Sequence, residues 1–348
     1  MPKNNGATPG RVLITRFSAL GDVAMTIPVV YPVCKAHPQV QFTLVTRPAP
    51  AGVFVDKPAN LTVLGIDLNN YKGMAGPARL ARELQREHHF DAMADLHSVL
   101  RTWLMSATLR LHGVRVATIH KGRREKRRIT GGKSRTPIAT THERYRHVFT
   151  RLGLTPGEPF TGLVPPPGHI APRKEAGEQW IAIAPFSQHE GKVYPWPLMQ
   201  QVIDTLAARE HCRIFLLGGG KRERDALEPV AASRDNVTSV AHIHHTFADE
   251  LHLLSRCDVM VTMDSANMHL ASLVRLPAVS IWGATHPICG FMGWGQQLDD
   301  AVQLPLPCRP CSVFGNKPCR LGDYRCMNGI TPAMIIEKVD QVLARTKD

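Results

Sequence analysis

The chain has 348 residues, more than one ordinary hydrophobic core accommodates, so two α/β domains are the expectation. Its 43% hydrophobic content is that of a globular protein, no run approaches the ~20 apolar residues of a membrane-spanning helix, and the opening MPKNNGATPGR lacks the apolar core of a signal peptide, which together predict a cytoplasmic protein. Forty-two Lys and Arg against 29 Asp and Glu give a formal charge of +13, which favours an anionic partner: nucleic acid, an acidic membrane surface or a phosphorylated substrate.

Short β-branched runs alternate with helix-length amphipathic stretches from the start. Strands are predicted at 11–15, 42–45, 61–64 and 90–96, the rhythm of βαβ units and a parallel sheet. The Pro- and Gly-rich stretch 155–172, with Val164-Pro165-Pro166-Pro167-Gly168, has no periodic apolar pattern and reads as an interdomain linker. Strands restart at 180–184, 213–217, 259–262 and 278–281, and a closing helix is predicted over 332–345, with Ile335, Ile336, Val339, Val342 and Leu343 near helical spacing. This divides the chain into a domain over 1–160, a linker over 161–174 and a domain over 175–348.

Ligands of open parallel sheets sit beyond the carboxyl ends of the strands, which directs attention to four loops. The first, Thr15-Arg16-Phe17-Ser18-Ala19-Leu20-Gly21-Asp22, puts Asp22 at a helix start. There it serves either as a first-turn carboxylate favoured by the helix dipole or as a base for a sugar hydroxyl. A GxGxxG dinucleotide fingerprint is missing from this loop, which suits an acceptor loop instead. The second, Pro185 to Trp196, joins Ser187, Gly191 and Lys192, a set suited to a diphosphate; Lys192 as a solvated lysine and Trp196 as packing at a helix start are the alternatives. The third, Leu217-Gly218-Gly219-Gly220-Lys221-Arg222-Glu223, allows close backbone approach, with Glu223 accepting ribose hydroxyls or capping its own helix. The fourth, Val261 to Ala271, is a strand running into a helix that begins with small polar residues, whose free N–H groups suit phosphate. Within it His269 is either structural or a ligand contact.

These loops, in this order and over nearly the whole chain, resemble glycosyltransferase family 9, the ADP-heptose:lipopolysaccharide heptosyltransferases. The most specific parts are Ser18-Ala19-Leu20-Gly21-Asp22, Asp264-Ser265-Ala266-Asn267-Met268-His269-Leu270-Ala271 with Pro277 and Ile281 to Pro287, and the terminal cysteine segment. The resemblance implies a GT-B fold, two Rossmann-like parallel-sheet domains facing across a cleft, with the N-terminal domain binding acceptor and the C-terminal domain binding donor. It implies an inverting, metal-independent transfer of heptose from ADP-heptose, or of another sugar from its nucleotide, to an anionic lipid-linked saccharide, the Kdo–lipid A or heptosylated inner core of lipopolysaccharide. No cofactor is implied.

The family role of catalytic base carries to Asp22, and Lys192 would stabilise the leaving diphosphate. Ser187 and Lys192 would contact the diphosphate, Glu223 the ribose, and Asp264, Ser265, Ala266, Asn267, Met268 and His269 the phosphates and adenosine side. Ala266-Asn267 stands where many members have Gly and a variable residue. On the acceptor side, Ser18, Gly21, Lys72, His97 and Arg101 are candidates.

The stretch Arg115 to Arg135 holds nine basic residues and Glu125. Such a block is ordinarily solvated or disordered. The resemblance offers a flexible basic loop on the acceptor domain, with Lys121, Arg123 and Arg124 gripping an anionic acceptor at the cytoplasmic face of the inner membrane. Nucleic-acid binding through this block is an alternative without support elsewhere, since no interleaved aromatics or zinc-finger, RRM or KH signature accompany it. A GT-B-shaped sugar-nucleotide epimerase is a second alternative, which would need further acid/base carboxylates around one donor pocket. The terminal cysteines, Cys308, Cys311, Cys319 and Cys326, read as reduced structural thiols, with a structural zinc as the lesser possibility.

Overall fold

A computed structural model of the chain describes residues 8–345; positions 1–7, part of the segment inspected for an apolar leader, lie outside them. Strands β1 (Arg11–Thr15), β2 (Gln41–Thr46), β3 (Leu61–Gly65), β4 (Ala92–Asp95) and β5 (Arg115–Thr118) form one sheet in the order β3-β2-β1-β4-β5, every neighbouring pair parallel. Strands β6 (Gln179–Ala184), β7 (Cys212–Leu216), β8 (Val237–Ser239), β9 (Val259–Met263), β10 (Ala278–Ile281) and β11 (Ala301–Val302) form a second parallel sheet, ordered β11-β10-β9-β6-β7-β8. Val12, Leu13 and Ile14 of β1, and Ile181, Ala182 and Ile183 of β6, are wholly buried. Burial of successive residues is what parallel strands covered on both faces require, and it explains why these strands read as unbroken apolar runs.

The chain divides into one unit of residues 1–121 and 140–161 and a second of 122–139 and 162–348, which differs from the contiguous division read from the sequence. Two segments account for the difference. The Pro-rich stretch is packed onto the second unit: the Leu163 N–H donates to the Leu273 carbonyl at 2.7 Å, and Ile170 is buried with Trp180 and Phe215. The basic block is folded: Arg123–Thr130 is a helix, and Lys126 and Ile129, three residues apart, turn one face inward. The Lys126 ammonium sits 4.0 Å from the centre of the Phe291 ring, so the expectation of a flexible basic loop on the acceptor domain is corrected.

The helix Pro332–Arg345 closes the second unit by burying Ile335, Val339, Val342 and Leu343 in its core. In the first sheet the chain order reverses at β1, flanked by β2 and β4, and in the second at β6, flanked by β7 and β9. The β1/β4 and β6/β9 carboxyl ends are therefore the switch-point crevices where such sheets take ligands.

Candidate functional site

The first crevice belongs to the N-terminal unit. Thr15 and Asp95 are register partners on β1 and β4, and the wholly buried Asp95 carboxylate accepts from the Thr15 hydroxyl at 3.2 Å. It also accepts from the N–H groups of His97 (3.0 Å) and Ser98 (2.9 Å) and from the Thr102 hydroxyl (3.0 Å). A buried carboxylate needs such partners, and here they fix the loop after β4 against the end of β1.

Asp22 lies in the first turn of the short helix Leu20–Ala24. Its Oδ2 meets the buried Arg16 guanidinium at 2.6 Å and accepts from the Ala19 N–H at 3.3 Å. Arg16 in turn donates to the Leu96 carbonyl at 2.9 Å, and Tyr145 donates to the Asp22 carbonyl at 3.2 Å. The side chain thus has both features of the two readings made from sequence: it supports its own helix start, and it remains 28% exposed.

His97 Nδ1 accepts from the Phe17 N–H at 3.4 Å. Burial, then the charges of Arg16 and Lys121, hold this imidazole down to about 3, so it is neutral at physiological pH. Ser18 is half-buried and Gly21 buried in the β1 loop. Arg101 donates to the Tyr71 carbonyl at 2.8 Å and thereby anchors the turn that carries the exposed Lys72. Lys121 ends the first unit, whereas Arg123 and Arg124 are exposed on the helix counted with the second.

The second crevice brings together two loops far apart in sequence. Lys192, after β6, pairs with Asp264, after β9, at 2.8 Å, and both side chains are largely buried. Ser265 caps the helix Ala266–Leu273, accepting from the Asn267 N–H at 3.3 Å and lying 3.3 Å from the Thr262 hydroxyl. The amides of Ala266 and Met268 belong to the first turn, for which a helix supplies no internal acceptor. Met268 is wholly buried, so only its backbone is suited to a ligand, and His269 is also buried. Ser187 is half-buried on the β6 loop, and Glu223 Oε2 accepts from the Gly219 N–H at 2.7 Å, steadying the glycine-rich turn. Trp196 stacks on Phe186 at 5.5 Å between ring centres and packs against the core.

Sequence reasoning missed the wall behind Lys192. The Ala284 N–H donates to the Gly191 carbonyl at 2.9 Å, and the Tyr324 hydroxyl donates to Glu190 at 2.9 Å. Gly315 has φ 75°, and a Cβ there would lie 2.6 Å from Lys192 Cγ. The cysteine-bearing segment therefore packs directly on the lysine loop. Its thiols are unbridged, Cys308 exposed and Cys326 buried, with Cys311 and Cys319 between. Among the described residues no three His, Cys, Asp or Glu side chains are grouped so as to hold a metal ion. Among the same residues no helix is long and apolar enough to cross a membrane.

Residues 78–322 match the family model described as glycosyltransferase family 9 (heptosyltransferase). Lipopolysaccharide heptosyltransferase 1 of Pseudomonas aeruginosa is 22% identical over 322 residues, 86% of each chain. Lipooligosaccharide heptosyltransferase 2 of Campylobacter jejuni is 26% identical over 132 residues, 37% of this chain, and the match spans 40% of the relative's length. Among solved structures, a family 9 glycosyltransferase from Veillonella parvula superposes with a TM-score of 0.73 at 17% identity, covering 97% of this chain and 98% of that one. The E. coli heptosyltransferase WaaC, solved with ADP, gives 0.64 at 18% identity over 95% and 99% of the two chains.

Proposed function

The chain belongs to glycosyltransferase family 9, and from that membership we propose that it is an inverting heptosyltransferase that moves heptose from ADP-heptose to the inner core of lipopolysaccharide, Kdo–lipid A or its heptosylated form. The observation that carries this reading is the Lys192–Asp264 pair at the start of a capped helix, a cation beside free amides at a switch point. An ADP-linked donor is supported by the WaaC structure with ADP, and a lipopolysaccharide acceptor by the name of the Pseudomonas relative.

In this mechanism the acceptor hydroxyl gives its proton to Asp22 Oδ1 while its oxygen attacks the anomeric carbon. The bond to the diphosphate oxygen breaks on the opposite face, and ADP leaves with the bonding electron pair. Arg16 and the Ala19 amide hold Oδ2, which keeps the carboxylate oriented as positive charge develops on the sugar ring. Lys192 and the amides of Ala266 and Met268 stabilise the charge growing on the diphosphate, with Ser187 as a further contact. Asp264 orients Lys192, and Glu223 serves the ribose through Oε1, since Oε2 is engaged by Gly219.

Lys72, His97, Arg101, Lys121, Arg123 and Arg124 are proposed to contact the anionic acceptor, which is presented at the cytoplasmic face of the inner membrane. The exposed arginines of the helix Arg123–Thr130 support that part, because their inward-facing neighbours hold the charged face outward. The test is ADP release from ADP-heptose with and without Kdo–lipid A, compared between wild type and Asp22→Asn. Acceptor-dependent release that the variant loses while binding ADP supports the proposal; absence of release with any nucleotide-sugar donor sinks it.

A further inference from the structure

A cavity of about 430 Å³ opens in the second unit beyond the carboxyl ends of β10 and β11, lined by Arg135, His286, Gln303, Arg309 and the run Leu304 to Pro307. Its volume lies within the range of small-molecule sites. Arg309 is 3% exposed, and all five of its N–H groups are used. Nε donates to the Gly283 carbonyl at 2.7 Å, Nη1 to Gln303 Oε1 and the Leu304 carbonyl, and Nη2 to the carbonyls of Trp282 and Thr285. Arg135 reaches the same wall, donating to the carbonyls of Pro307, at 3.0 Å, and of Arg309.

Every acceptor in this arrangement is a neutral oxygen. Among the described residues neither guanidinium has a carboxylate partner, although a buried cation such as Arg309 ordinarily carries one. Cys311 and Cys326 do not supply the missing charge, because burial pushes both up and keeps them as thiols. His286 is not anionic either: its Nδ1 accepts from the Ile288 N–H at 3.2 Å, and burial, with Arg309 and Arg135 beside it, holds the ring down to about 4. Two guanidinium groups, an amide and a neutral imidazole therefore border a cavity whose net local charge is positive.

We propose that this cavity binds an oxyanion, a phosphate or carboxylate group carried by a small polar molecule, with Arg135 as its exposed clamp and Arg309 as its fixed charge. The site differs from the nucleotide-sugar site assigned to Lys192 and the helix Ala266–Leu273, and it stands whatever sugar that site takes. The two are neighbours through one turn: Ala284 donates to Gly191 on the lysine loop, while the preceding and following carbonyls, of Gly283 and Thr285, are held by Arg309. An acidic sugar or a phosphorylated one would both satisfy the charge, and their chemistry at the guanidinium groups is the same.

Calorimetric titration of the full chain with inorganic phosphate, glucose 1-phosphate and glucuronate tests the proposal, alongside Arg135→Gln and Arg135→Lys. The expected result is saturable binding of at least one of them with Kd below about 1 mM, weakened about tenfold or more by Arg135→Gln and largely retained by Arg135→Lys. Binding of the two phosphates alone identifies a phosphoryl group as the source, and binding of glucuronate identifies a carboxylate. In parallel, the His286 ring resonances should move on titration, and ADP should leave the bound oxyanion in place. Lack of saturable binding by all three, equal affinity in Arg135→Gln, or displacement by ADP would overturn the proposal.

Discussion

The Arg16 guanidinium meets Asp22 at 2.6 Å through Oδ2, the same oxygen that accepts from Ala19, so one carboxylate oxygen fixes the side chain while Oδ1 makes no hydrogen bond or ion pair among the described residues. A general base needs that asymmetry, because orientation and proton acceptance compete for the same lone pairs. Asp22→Asn should therefore lower kcat by about 100- to 10,000-fold with little change in ADP affinity. Arg16→Lys keeps the charge but gives up the planar fork that spans Asp22 and the Leu96 carbonyl, and kcat should fall by about tenfold with KM for the donor unchanged. Steady-state kinetics paired with calorimetry for ADP checks both; an unaltered Asp22→Asn rate would remove the base assignment.

His97 and His286 lie in different units but share a sign. Both rings are held low, to about 3 and about 4, by burial first and by neighbouring cationic groups second. Their ordinary value is 6.5, so between the folded and unfolded values the unfolded chain binds more protons. Stability should then be intact above pH 6.5 and decline as the pH falls from there towards 4. His97→Gln, which removes one such group, should narrow the loss between pH 7.5 and pH 5 by roughly 2 kcal/mol. Urea midpoints at the two pH values measure this, and an unchanged difference in the variant would show that His97 protonates freely in the folded chain.

How far the sequence could be read depended on distance along the chain. The strands at 11–15, 61–64 and 278–281 and the closing helix were legible because their apolar patterns are local. β5 was not, since Arg115 opens it inside a basic block, and β8 and β11, with three and two residues, are too short to carry a period. The loop containing Asp22 could be singled out, but not its tie to Arg16, which depends on how the β1 loop turns. Lys192 and Asp264 could each be suspected of phosphate contact, but their pairing follows from β6 lying beside β9, which the residue pattern does not specify. Likewise nothing local to Gly315 or Tyr324 announces that the cysteine-bearing segment backs the lysine loop.

The helix Arg123–Thr130 has two faces that separate stability from binding. Lys126 lies over the Phe291 ring and is 9% exposed, while Arg127 is exposed. Lys126→Glu replaces the cation with a carboxylate against the negative face of an aromatic ring and should destabilise the chain by about 1–2 kcal/mol. Arg127→Glu should leave the thermal midpoint within the small range of surface changes yet weaken association with anionic vesicles, an effect that grows at low salt. Thermal unfolding and vesicle sedimentation separate the two. Equal thermal midpoints for both variants would mean that the helix is not held by its inward face.

Gly315 and Gly322 form a matched pair that tests the wall behind Lys192. Their φ angles are 75° and 76°, so Ala imposes similar backbone strain at either position, about 1–2 kcal/mol. They differ in surroundings: a Cβ at 315 would meet Lys192 Cγ at 2.6 Å, whereas one at 322 meets nothing within 4 Å. Strain alone predicts equal effects of the two substitutions. Displacement of the lysine predicts that Gly315→Ala weakens ADP binding by about tenfold, the scale of one charge-assisted hydrogen bond, while Gly322→Ala retains wild-type affinity. Calorimetry with ADP on both variants decides between them, and equal affinities would show that Lys192 is positioned without the cysteine-bearing segment.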